Sequence, residues 1–242
     1  MKIACLYLTH NNSECLFNLQ TLIKHINSYK EHQIDLYIYN NNEKLNDIIY
    51  DNNYCEFTYK NLQEKLNYIY MFGDTLKYIG NCHLPVIDLY LSHKEYDKFI
   101  FYEDDVSYVG NINMFNLFDF NIDFMFQNKR NLEMTWWWYI ANERHNLQLT
   151  PYSGLLNIYM LSSDVIQKIY DFMNEGNFAH HEYLINSYIM ENYEKYNWQI
   201  GYLKENNEFN VYTNQFNYTG THFIHPIKNI QQLQLYKRQL HK

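Results

Sequence analysis

The chain is poor in the residues that punctuate a fold, with 7 glycines and 3 prolines in 242 residues. No Pro- or Gly-rich stretch marks a linker and no internal repeat stands out. A single domain over 1–242 is therefore expected, long enough to bury a sizeable core. Cysteine is scarce as well. Cys5, Cys15, Cys55 and Cys82 are scattered with no C-x-x-C pair, which suggests neither a zinc knuckle nor a disulfide framework and favours reduced thiols in a cytoplasm. Basic residues are outnumbered, 19 against 27 acidic, for a formal charge of −8. Binding to nucleic acid needs a basic surface that displaces counterions from phosphates, so no nucleic-acid partner is expected, and a phosphate-bearing substrate would need a local cation. Long apolar runs are missing too. The opening run Ile3 to Leu8 is closed by Thr9-His10-Asn11-Asn12, too early for a signal peptide. No window approaches the ~18 apolar residues of a membrane-crossing helix, and a soluble or peripheral protein is expected.

What is present alternates. Ile3 to Leu8 has the continuous apolar character of a strand buried on both faces, and Asn18 to Tyr29 carries Leu19, Leu22, Ile23 and Ile26 at helical spacing. Ile34 to Tyr39 repeats the strand pattern and ends in Asn40-Asn41-Asn42; a short helix from Leu45 to Ile49 and a third strand near Cys55 to Tyr59 follow. The spacing predicts helices over 62–78, with Gly80-Asn81 as the stop, and over 86–93, behind Pro85. Strands alternating with helices point to an α/β fold with a mostly parallel sheet. The second half changes character. Strands are expected over 122–126, 133–139 and 155–161 and helices over 163–173 and 181–193, in a mixed topology.

The most informative junction is Phe99-Ile100-Phe101-Tyr102 followed at once by Glu103-Asp104-Asp105. In an open α/β sheet, ligands bind outside the carboxyl ends of the strands, which is where these carboxylates fall. Three adjacent like charges after a run too apolar for a surface strand repel one another unless a cation joins them. Hard oxygen ligands suit Mg²⁺ or Mn²⁺, which commonly bridge carboxylates to phosphates and stabilise a departing diphosphate. A solvated acidic turn is the bland alternative.

The segment Tyr96-Asp97-Lys98-Phe99-Ile100-Phe101-Tyr102-Glu103-Asp104-Asp105-Val106-Ser107-Tyr108-Val109-Gly110-Asn111 resembles the stretch that carries the D-x-D motif of GT-A glycosyltransferases. It is most similar to members whose motif runs E-x-D-V before glycine and asparagine, among them bacterial polysaccharide and lipopolysaccharide transferases. Glu103 departs from a strict D-x-D. The resemblance implies a GT-A-like fold: a Rossmann-type, mostly parallel sheet with helices on both faces, a nucleotide-sugar-binding half over 1–110 and a mixed acceptor-binding half over 111–242. It implies a nucleotide-sugar donor, a glycan or glycolipid acceptor, Mn²⁺ or Mg²⁺ as cofactor, and Asp105 as the acid that touches the metal, with Glu103 beside it and Asp104 toward the cofactor.

The same resemblance implies roles further along. Glu182, in Ala179-His180-His181-Glu182, stands where the superfamily carries its acceptor-side acid and would take the acceptor proton; a helix-starting glutamate favouring the dipole is the other reading. His180 and His181 would position acceptor hydroxyls or be bystanders. His225 would complete the metal site, with His222 as substitute, and Lys228 would meet the diphosphate as a point charge. Thr9, His10 and Asn11 end the first strand and face the same crevice, where they could contact the nucleoside or ribose, as could Asn40 or Asn41 after the second strand; ordinary loop capping is the other reading. Trp136-Trp137-Trp138 invites sugar stacking, but on a strand alternate rings point to opposite faces, so at least one belongs to the core. Tyr152-Ser153-Gly154 forms a turn that could lie against the acceptor. Residues 230–242 read as a basic amphipathic helix, for an anionic membrane surface or for packing back on the domain. The competing functions are a metal-dependent hydrolase of phosphoesters or nucleotide sugars, and a non-catalytic carbohydrate-binding module.

Overall fold

The computed structural model describes residues 1–9, 16–41, 54–68, 81–127, 147, 149–152, 154–203, 206–210, 215–217 and 223–240. Among these, the order is β1 (Lys2–Thr9), α1 (Leu16–Ser28), β2 (Gln33–Asn40), β3 (Tyr54–Glu56), α2 (Tyr59–Lys65), α3 (Leu84–Ser92), β4 (Lys98–Glu103), β5 (Ser107–Tyr108), a 3₁₀ turn (Met114–Leu117) and β6 (Phe124–Gln127). There follow β7 (Ile158–Ser162), α4 (Ser163–Asn174), α5 (His181–Tyr196), β8 (Ile200–Leu203), β9 (Asn206–Asn210), β10 (Gln215–Asn217), β11 (Phe223–His225) and α6 (Ile230–Leu240). The expected helix at 45–49 and strand at 133–139 lie outside the described residues, as do the three tryptophans.

A seven-stranded sheet runs β3-β2-β1-β4-β7-β6-β8. Every neighbouring pair in it is parallel except those made by β7, which runs antiparallel to β4 and β6. The fold is thus α/β with a mostly parallel central sheet. From β1 the chain winds outward through β2 and β3, then returns to lay β4 on the other side of β1. That reversal opens a crevice between the carboxyl ends of β1 and β4.

Period-two alternation sends the strand side chains to two cores. Ala4, Leu6, Leu8, Phe99, Phe101, Tyr159 and Leu161 face the layer built by α2 to α5. Ile3, Cys5, Tyr7, Ile100, Tyr102, Ile158 and Met160 face α1 and the 3₁₀ turn. Both faces are covered, so the central strands carry no polar alternation. Fully burying each such aliphatic side chain contributes about 1.5–3 kcal/mol.

Two local features differ from the sequence reading. The helix expected over 62–78 breaks after Lys65, because Leu66 caps it and Asn67 takes a left-handed backbone (φ 51°), a conformation asparagine tolerates at a helix end; residues 69–78 lie outside the described residues. A second sheet, β10-β9-β11-β5, was not expected. It pairs β11 antiparallel with β5, fastening the carboxyl-terminal segment directly behind the acidic turn. Helix α6 packs on that sheet through Leu233 and Tyr236, which join Ile224 and Ile227 in a third small core, while Ile230 stays 47% exposed. No helix among the described residues is long and apolar enough to cross a membrane.

Candidate functional site

Strand β4 delivers Glu103 to the rim of the crevice, and the following turn is fixed from all sides by backbone bonds. The Glu103 amide donates to the Asn157 carbonyl (3.0 Å) and the Asp104 amide to the Leu8 carbonyl (3.0 Å). The Asp104 carboxylate points inward. It accepts from the Thr9 hydroxyl (3.1 Å), while its carbonyl accepts from the Asn18 amide (2.7 Å), which ties the turn to β1 and α1. Asp104 therefore anchors the turn, and Thr9 is engaged in holding it.

That anchoring turns the flanking acids together. Glu103, Asp105 and His225 each offer one ligand atom, and the three atoms lie within 4.8 Å of one another. His225 Nε2 stands 3.3 Å from Asp105 Oδ1 and 3.8 Å from Glu103 Oε2. The Lys228 ammonium pairs with Asp105 Oδ2. The Ile227 amide donates to the Asp105 carbonyl at 2.7 Å, so the segment bearing His225 and Lys228 is pinned to the turn by main chain as well as by charge.

The electrostatics split the two acids. Burial would raise the pKa of Asp105, but His225 and Lys228 overcome it and hold the group well below the usual carboxylate range. Glu103 goes the other way: burial, then the negative charges of Asp105, Glu182 and Asp104, push its pKa well above the usual value. Lys228 is raised by Asp105 against the opposing effect of burial. Two carboxylates and an imidazole form a donor set that suits Mn²⁺ and accommodates Mg²⁺. Asp105 Oδ1 fits as well, being a buried oxygen that makes no hydrogen bond among the described residues. A cation there would offset the mutual repulsion of Glu103 and Asp105.

Glu182 begins α5 and is 8% exposed. Its Oε1 accepts from the Leu156 amide at 3.3 Å, and its charge reaches Glu103, so the structure brings it to the inner side of the same site. His180 caps α5 by accepting from the Glu182 amide (3.3 Å), and both His180 and His181 are buried rather than bystanders at the surface. Gly154 permits the neighbouring loop to close in: an added Cβ would stand 2.7 Å from the Phe126 ring and 3.3 Å from the Asn186 amide. Asn40 ends β2 in register with Thr9 and is buried; its carbonyl accepts from the Phe57 amide (3.0 Å). His10, Asn11 and His222 lie outside the described residues.

Four further polar residues were not expected here. Cys82 accepts from the Tyr59 hydroxyl (3.7 Å) and feels the charges of Glu103 and Glu182, which with burial raise its pKa well above normal, so it is a packed thiol and not a nucleophile. Tyr159 stacks on Phe101, and Cys82 and Glu103 lie near enough to add to the raising effect of burial on its pKa. His83 stands just before α3, and Asn186 is one turn along α5 from Glu182. The only hint in the sequence was the polar trio Asn81-Cys82-His83 ahead of Pro85.

Fold and site together define an α/β protein with a carboxylate–imidazole cluster at the switch point of its sheet. No family model matches the sequence, and no curated protein matches it. Solved structures do match in shape. One is a glycosyltransferase involved in the glycosylation of the major capsid of PBCV-1, 10% identical with a TM-score of 0.45, the match covering 99% of this chain and 100% of that one. Another is mouse xyloside xylosyltransferase 1 in its apo form, 12% identical with a TM-score of 0.47, covering 88% and 89%. Likenesses this slight carry no argument about activity, which rests on the site itself.

Proposed function

We propose that the chain is a GT-A-type glycosyltransferase that moves a sugar from a nucleotide-sugar donor to a glycan or glycolipid acceptor. The observation that carries the reading is the meeting of Glu103, Asp105 and His225, drawn from both halves of the chain, at the carboxyl end of β4 beside β1. Glu103, Asp105 and His225 would hold Mn²⁺ or Mg²⁺, which when bound supplies a positive charge for the leaving diphosphate. Lys228 would exchange its partner Asp105 for a phosphate oxygen, a second positive charge on the same group. Thr9 and Asn40, at the ends of β1 and β2, would flank the nucleoside, together with His10.

Glu182 is the base of this scheme. An acceptor hydroxyl oxygen attacks the anomeric carbon, its proton passes to the Glu182 carboxylate, and the bond from that carbon to the phosphate oxygen breaks with its electron pair leaving on the diphosphate. Such a single displacement inverts the anomeric centre.

A thermal-shift screen of UDP-, GDP-, CMP- and dTDP-sugars with Mg²⁺ and Mn²⁺ tests the reading. A true donor at a hundredfold excess over Kd adds about 2.7 kcal/mol of stability, and the gain should require the metal. A flat response to all donors, with and without metal, would sink it. Product analysis with and without an acceptor separates transfer from hydrolysis.

A further inference from the structure

The candidate metal ligands come from two segments, Glu103 and Asp105 from the end of β4 and its turn, His225 from β11. A buried side chain of α1 bonds to the main chain of the first segment and to the strand beside the second. Asn18, 2% exposed on the first turn of α1, donates from Nδ2 to the Asp104 carbonyl at 2.7 Å. Its Oδ1 accepts from the Ser107 hydroxyl at 2.7 Å. Ser107 is buried in β5 and stands opposite Ile224 of β11, the residue before His225. Asparagine is a poor helix former because its side chain competes for nearby backbone groups, and here it bonds to neighbouring elements instead.

The first bond falls at the softest point of the acidic turn. The Val106 amide donates to the Glu103 carbonyl (3.1 Å), so Glu103 to Val106 form a β-turn whose central peptide joins Asp104 to Asp105. Rotation of that peptide is what separates type I from type II turns, and type II needs a positive φ at the third residue. Among the described non-glycine residues only Asn67 and Asn197 have a positive φ, so Asp105 keeps an ordinary backbone. The Asn18 bond fixes the central carbonyl, and with it the direction in which the Asp105 side chain leaves the turn. The Tyr7 hydroxyl also faces this carbonyl, at 3.5 Å, too far to hold it alone. A carbonyl only accepts, so the Asn18 nitrogen must face Asp104, its oxygen must face Ser107, and the Ser107 hydroxyl must donate. The amide therefore has one orientation, set from both sides.

We infer that Asn18 is a positioning residue for the cation site: through Asp104 and Ser107 it sets the approach of Asp105 to His225, and so the affinity for Mn²⁺, without touching the ion. Groups that orient metal ligands from behind commonly carry roughly ten- to hundredfold in affinity. The inference rests on the metal-dependent reading above and adds to it a residue from α1, an element that holds none of the three ligands.

Binding of Mn²⁺ to the full chain tests it, followed by the electron paramagnetic resonance of the free ion, with and without UDP, GDP or dTDP. Asn18→Ala should raise the Kd for Mn²⁺ roughly ten- to hundredfold. Ser107→Ala keeps the bond to Asp104 but frees the amide and unlinks it from β5, and should raise the Kd roughly two- to tenfold, the range for one hydrogen bond. Leu22→Val, one turn along α1 in the adjoining core, is the control; it should lower the melting temperature and leave the Kd unchanged. Each titration is made well below the variant's melting temperature, with the fold checked by circular dichroism, so a loss of stability by itself does not move the readout. If Asn18→Ala fails to fold, Ser107→Ala decides. Variants at Asn18 and Ser107 that bind Mn²⁺ as tightly as the parent overturn this inference alone, as does a Leu22→Val that weakens binding as much as they do. If the parent binds no Mn²⁺ in any of these conditions, the metal site itself falls and takes the inference with it.

Discussion

On its outer side Glu103 meets opposite charges and ligand atoms: Asp105 paired with Lys228, and His225 within 3.8 Å. On its inner side it meets uncharged groups, the Cys82 thiol, the Tyr159 phenol and, beyond them, the His83 ring, with Glu182 as the other acid. The outer set pairs Asp105 with Lys228 yet leaves Asp105 Oδ1 without a hydrogen bond among the described residues. The contrast explains why two acids two residues apart titrate in opposite directions: Asp105 faces cations across the turn, whereas Glu103 alternates onto the face of the sheet that holds hydrophobic core and the second acid.

The largest effect expected from breaking this contrast is at Glu182. Replacing it with Gln keeps shape and the bond from the Leu156 amide but removes the base, so kcat should fall about 10²- to 10⁴-fold with metal-dependent donor binding retained. Steady-state kinetics set beside a donor titration would check both halves; loss of binding with kcat intact would move Glu182 to the donor side.

A smaller effect, and one of opposite sign, is expected at Glu103. Its folded pKa is raised, so the folded chain keeps a proton that the unfolded chain gives up. The cost of ionising it therefore grows as pH climbs above the ordinary carboxylate value of about 4.3. Asp105 runs the other way: its stabilising pairs are fully present above the unfolded pKa and are lost as pH falls through the depressed folded value. Glu103→Gln should thus stabilise the metal-free protein near pH 7 and do little near pH 4, while abolishing the stabilisation by Mn²⁺. Melting temperatures across that range, with and without Mn²⁺, would decide it; a destabilised variant at pH 7 would mean Glu103 is already paired.

How much of this was legible in the sequence follows the same division. The β1, β2 and β4 runs could be read because strands covered on both faces need continuous apolar residues, and the acidic turn stood out against them. The second sheet could not. Strand β5 is two residues long, and Asn206–Asn210 and Gln215–Asn217 are polar and asparagine-rich with no alternation, so only their tertiary partners make them strands. His225 and Lys228 were named through family resemblance, and the structure supplies the physical link, β11 paired with β5. The inner groups were hidden for a different reason. Tyr159 sits in an apolar strand and reads as core, and His83 precedes a helix as any loop histidine could.

The measurement that bears most directly on the central claim is nucleotide-sugar titration of the parent chain and of Asp105→Ala, each with and without Mn²⁺. The parent should bind donor in a Mn²⁺-dependent manner, and the variant should lose that dependence and most of the affinity. A variant that binds the donor as tightly as the parent, with the same response to Mn²⁺, would contradict the assignment of the Glu103–Asp105–His225 cluster.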